Sequence, residues 1–146
     1  MSAASTAKTY QVLSPFDGRV LKTLALTTPE EAGAVLDKAV ALFEDKRKWL
    51  PVHERVKVLN KLKTIMAGKQ TELAHEIAAN GGKPLKDAVV EVVRAIDGID
   101  VALTTLNSTE LAGTQIPMGK TEASAGRLAW TLREPIGPVV AVSGTP

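Results

Sequence analysis

The sequence predicts an α/β chain, α+β over the residues present, in which a β-hairpin leads into three helices and two strands follow. Three observations carry this. Val89, Val92, Val93, Ile96, Ile99, Leu103 and Leu106 recur at steps of 3, 1, 3, 3, 4 and 3, the spacing of one helix face. Leu128, Trp130 and Leu132 alternate with Ala129, Thr131 and Arg133, the period of a one-sided strand. Val139-Val140-Ala141-Val142 is apolar on both faces, as in a strand of a parallel sheet covered on both sides.

The remaining elements follow in order. Lys8 to Thr27 reads as a β-hairpin: Tyr10, Val12 and Leu13 precede the turn cluster Ser14-Pro15-Phe16-Asp17-Gly18, and Val20 to Leu26 returns. Thr28-Pro29-Glu30-Glu31 starts a helix, with Thr28 as cap, Pro29 in the first turn and Glu31 closing a capping box. Ala32, Val35, Leu36, Ala39, Val40 and Phe43 form its stripe. Pro51 opens a second helix along Val56, Leu59, Leu62, Ile65 and Met66, which breaks near Gly68 and resumes through Leu73, Ala74 and Ile77. Gly81-Gly82 ends it, because glycine takes the left-handed cap conformation at least cost. Pro84 opens the third helix. Gly113 to Arg133 changes character and leads into the strand around Trp130.

Composition narrows the function classes. The 146 residues are 45% hydrophobic and 23% charged, the balance of an ordinary folded domain. Aromatics make up 3%, so aliphatic side chains must fill the core. The net charge of +2 argues against nucleic acid or an anionic membrane as partner. The densest basic run, Lys46-Arg47-Lys48, falls where the first helix ends, and cations there offset the helix dipole. There is no cysteine, which removes disulfides, thiolate metal sites and a thiol nucleophile from these residues. Met1 to Ala7 lacks the apolar stretch of a signal peptide, and no run approaches the roughly 20 apolar residues of a membrane span. The default compartment is the cytoplasm.

Apparent motifs reduce to structure. Gly113-Thr114-Gln115-Ile116-Pro117-Met118-Gly119-Lys120-Thr121 imitates a phosphate-binding loop, but has five residues between its glycines and a strand, not a helix, behind it. Gly81-Gly82-Lys83 is better read as a helix end. His53 and His75 stand apart from any acidic cluster at metal-ligand spacing, so no metal site is expected. Ser143 has no histidine near it. Asn107-Ser108-Thr109 fits a glycosylation acceptor without a secretory signal to give it meaning. The residues show no catalytic constellation.

The order of the pieces resembles the front of the aldehyde dehydrogenase superfamily. The residues that carry the resemblance are Ser14-Pro15-Phe16-Asp17-Gly18, Trp49 with Arg55, Leu59 and Leu62 behind it, Gly82-Lys83-Pro84, and Arg133-Glu134-Pro135-Ile136-Gly137-Pro138-Val139. The last is the most specific, and the likeness runs from about Tyr10 to Ser143.

The resemblance implies a Rossmann-type cofactor domain in three parts. Residues 1–113 would be its N-terminal portion, residues 114–133 a bridging arm whose strands pair between subunits, and residues 134–146 the first strand of the dinucleotide-binding sheet, truncated. Val142 and Ser143, at the C-terminal end of that strand, would line the cofactor site. The family continues with a small residue, an aromatic and a catalytic Asn; Thr145 and Pro146 stand at the aromatic and Asn positions. The glycine-rich cofactor segment, general-base Glu and nucleophilic Cys lie further downstream in the family. The expectation is therefore the N-terminal portion of an NAD- or NADP-dependent enzyme that oxidises an aldehyde to an acid. Alone it would be inactive, bind no cofactor, and form homo-oligomers through the 127–133 strand. The alternative is a non-enzymatic helical module that self-associates through that strand. An aromatic-Asn segment and a later Gly-Gln-x-Cys-type segment in the coding DNA past residue 146 would separate the two.

Overall fold

The computed structural model describes residues 8–143, and its elements follow the expected order. Strands β1 (Thr9–Leu13) and β2 (Val20–Ala25) pair antiparallel, with Tyr10 opposite Leu24 and an irregularity at Val12/Leu13. The turn between them is held by short polar side chains. The Ser14 hydroxyl oxygen accepts from the Phe16 N–H at 3.3 Å, and the Asp17 carboxylate accepts from the Arg19 N–H at 3.3 Å. The Ser14 hydroxyl, followed by the Arg19 N–H, holds the Asp17 carboxyl below its ordinary value.

Helix α1 (Pro29–Glu44) begins as its sequence dictates: Thr28 Oγ1 accepts from the Glu31 N–H at 3.2 Å, and Glu31 returns the contact to the Thr28 N–H at 2.8 Å. The basic run departs from expectation. Helix α1 has no cation in its last turn, and Lys46–Lys48 forms a separate 3-10 turn. The Asp45 side chain starts that turn, accepts from Arg47 Nε at 2.8 Å, and has its pKa lowered chiefly by the same guanidinium. An acidic residue at the helix end thus captures the cations that the dipole argument assigned to the helix.

Helices α2 (Val52–Gly68), α3 (Gln70–Gly81) and α4 (Leu85–Leu106) hold the core. The break between α2 and α3 falls at Lys69, one residue past the glycine. Ala74, Ala88, Val92 and Ile99 are buried, with Leu73, Ile77, Ala78 and Ile96 packed against the first three. Two alanines at 0% exposure let α3 and α4 approach closely. Lys63 Nζ reaches the Asp100 carboxylate at 2.6 Å and ties α2 to α4, while Lys83 pairs with Glu91 beside the α3–α4 turn. A short helix, α5 (Thr109–Ala112), follows.

The C-terminal strands are shorter than expected. Only β4 (Ala129–Trp130) within 127–133 is a strand, paired antiparallel with β3 (Gln115–Ile116). Pro117 ends β3, since proline has no N–H for the ladder. Residues 139–142 are not a strand at all. Strand structure needs a neighbouring strand's hydrogen bonds, and the described residues form only two two-stranded antiparallel sheets, β1–β2 and β3–β4.

Candidate functional site

Val142 and Ser143, the residues assigned by resemblance to the cofactor site, lie in an unpaired, exposed segment. Val139 and Val140 are each 78% exposed and Val142 is 94% exposed. Gly144 to Pro146, including the positions aligned with the family's aromatic and Asn, lie outside the described residues. A dinucleotide pyrophosphate needs backbone N–H groups at a helix N-terminus behind such a strand. Among the described residues none follows residue 139. The residues present therefore do not fit a nicotinamide dinucleotide by themselves, and no chemical step is assigned to it here.

What the structure does build are two joints, each made from segments far apart in sequence. The first joins the hairpin turn to the α3–α4 turn. Gly82 has φ +65, and a Cβ placed on it would lie 2.8 Å from Pro15 Cγ. Ser14, behind Pro15, is 7% exposed. Two segments that carry the family likeness, Ser14–Gly18 and Gly82–Pro84, thus meet each other.

The second joint ties the segment after the arm to the end of α1. Lys46 Nζ donates to both Glu134 oxygens at 2.9 Å and also sits 5.2 Å from the centre of the Trp49 ring. Trp49 stacks on Phe43 at 5.6 Å, and its Nε1–H donates to the Phe43 carbonyl at 2.8 Å. That bond satisfies one of the carbonyls that a helix C-terminus leaves unpaired. Leu42, Phe43, Trp49, Arg55, Pro135 and Pro138 are among the residues lining a half-open groove of 510 Å³ there. The Lys46–Glu134 pair is exposed, at 64% and 55%, so it orients the segment more than it stabilises it. Local sequence pattern carried no signal for this contact between partners 88 residues apart.

The arm is the third feature. Thr131 N–H donates to the Thr114 carbonyl at 2.8 Å, and Thr114 N–H donates to Thr131 Oγ1 at 2.9 Å. These bonds extend the β3–β4 pairing by one residue. Leu128, Trp130 and Leu132 are 75%, 64% and 70% exposed. The expected apolar strand face is therefore present and uncovered.

The remaining motifs keep their structural readings. Gly113 to Thr121 leads into a three-residue 3-10 turn, Glu122–Ser124, with no helix to meet a phosphate. His53 is exposed and contacts Glu54 at 3.2 Å; His75 is exposed on α3. Among the described residues no three His, Cys, Asp or Glu side chains group to hold a metal, and no helix is long and apolar enough to cross a membrane.

Comparison with known proteins gives these joints a context. The model of the aldehyde dehydrogenase family matches residues 2–144. Lactaldehyde dehydrogenase of Methanocaldococcus jannaschii is 33% identical over 132 residues, which are 90% of this chain and 27% of that protein. A solved glyceraldehyde-3-phosphate dehydrogenase from the same organism, complexed with NADP, superposes with a TM-score of 0.74 at 32% identity, over 86% of this chain and 25% of that one. PnpE in complex with nicotinamide adenine dinucleotide superposes with a TM-score of 0.74 at 25% identity, over 88% of this chain and 25% of its own. The chain thus spans about a quarter of the length of these relatives. Because the family match runs over nearly every residue, the chain belongs to the aldehyde dehydrogenase family.

Proposed function

We propose that these residues are the N-terminal portion of an NAD(P)-dependent aldehyde dehydrogenase and supply its frame rather than its chemistry. Residues 1–113 form the helical part of the cofactor domain, 114–133 the bridging arm, and 134–146 the lead into the first strand of the dinucleotide-binding sheet. The observation that carries this reading is the superposition of 86% of the chain on a quarter of an NADP-complexed dehydrogenase. The two joints fit such a role. They fix the hairpin to the helices and aim residues 139–143 away from the Trp49 cluster, with Val142 and Ser143 placed to border a cofactor once neighbouring strands flank them. The thiol that attacks the aldehyde and the base that activates water come from other residues, since these 146 contain no cysteine. Two copies of the chain associate through the exposed arm strand.

A chimera tests the reading. In the lactaldehyde dehydrogenase of M. jannaschii, the 132 aligned residues are replaced by the matching residues of this chain. The chimera is expected to keep aldehyde-dependent reduction of a nicotinamide cofactor above about a hundredth of the parental kcat/KM, a loss of under roughly 3 kcal/mol. A folded, soluble chimera with no turnover would contradict it. The exposure of Leu128, Trp130 and Leu132 also favours a second reading, a non-enzymatic module that self-associates. An inactive chimera whose arm still drives association would select that one.

A further inference from the structure

Helix α1 is amphipathic but has little to lean on. None of its 16 residues is buried, and it makes no extensive contact with α2, α3 or α4. Val35, Leu36 and Val40, on its apolar stripe, are 68%, 48% and 38% exposed. The stripe runs toward Leu42 and Phe43 and so into the half-open groove beside Trp49. Beyond the groove, residues 139–142 are apolar on both faces and unpaired.

We infer that this continuous surface is a docking face for a second polypeptide carrying the remaining three-quarters of an aldehyde dehydrogenase fold, so that the enzyme is completed in trans. The inference rests on the proposed function. Length supports it: the chain takes the same fold as a quarter of longer dehydrogenase chains, so the open faces are those that a body three times larger lies against. Chemistry selects this occupant over a second copy. A segment apolar on both faces needs flanking parallel strands and cover on both sides. The described residues offer only two small antiparallel sheets, so another copy of this chain supplies no parallel edge for residues 139–142. Apolar stripes of this extent, left in water, drive association.

The test co-expresses this chain with M. jannaschii lactaldehyde dehydrogenase lacking its 132 aligned residues. A soluble one-to-one complex is expected, with a dissociation constant below about 10 µM. Val35→Asp with Leu36→Asp should weaken it at least about tenfold while leaving the helical circular-dichroism signal unchanged, because both side chains already face water. No complex, although the covalent chimera turns over, would overturn docking in trans and leave the proposed function standing. A complex beside an inactive chimera would sustain docking and sink the dehydrogenase reading. Equal binding by the double variant, or a homodimer of this chain that the truncated dehydrogenase fails to displace, would overturn the inference.

Discussion

Gly113→Ala is expected to abolish the pairing of β3 with β4, and with it association through the arm. Gly113 has φ +93, and a Cβ there would fall 1.9 Å from the Thr131 carbonyl oxygen and 2.8 Å from its carbonyl carbon. Both are backbone atoms, so no side-chain rotation relieves the clash. The left-handed conformation alone strains alanine by about 1–3 kcal/mol. The ladder consists of Gln115–Trp130 and Ile116–Ala129, with the Thr114–Thr131 bonds beside it. Separating Thr131 from Thr114 removes one end of so short a sheet, and little remains to hold the other. Trp130→Lys attacks the same surface differently, by placing a charge on the exposed face while leaving the backbone pairing in place. Light scattering should show weaker association for both variants, whereas amide exchange at Thr131 should rise only in Gly113→Ala. Unchanged exchange and unchanged association in Gly113→Ala would show that the arm is not built this way.

Gly82→Ala is the second large effect and acts on the helical part. Alanine in the left-handed conformation at φ +65 costs about 1–2 kcal/mol. Its methyl carbon would also stand 2.8 Å from Pro15 Cγ, the edge of a ring that cannot swing aside. Either the hairpin turn lifts from the α3–α4 turn or the α3 cap distorts. A loss of about 2–3 kcal/mol is expected from conformation and contact together, read by chemical denaturation. The two parts separate in a double-mutant cycle. Pro15→Ala removes the ring, so Gly82→Ala should be less damaging in that background. Equal damage in both backgrounds would place the whole effect in the backbone and remove the joint from the account.

The helices were legible because each announces itself locally. Thr28 to Glu31 form a capping box, Gly82 takes the left-handed cap, and the stripe along α4 puts Val92 and Ile99 in the core. The strands were less legible because pairing is not local. Period 2 around Trp130 identified the apolar face but not the extent of the ladder, which its partner limits to two residues. The run Val139–Val142 has strand chemistry, yet without adjacent strands it stays unpaired. The Lys46–Glu134 contact and the meeting of Pro15 with Gly82 were invisible for the same reason: each joins residues separated by most of a domain. The expected cofactor residues, Val142 and Ser143, came from resemblance alone, and nothing around them in the structure forms a site.

The central claim is that these residues hold a dehydrogenase's frame without its cofactor site, and titration of the isolated chain with NAD and NADP tests it most directly. Calorimetry on the purified chain, followed by addition of an aldehyde, is expected to give no binding tighter than millimolar and no reduced nicotinamide above background. A micromolar dissociation constant with one site per chain, or aldehyde-dependent reduction that survives removal of host dehydrogenases, would contradict the account.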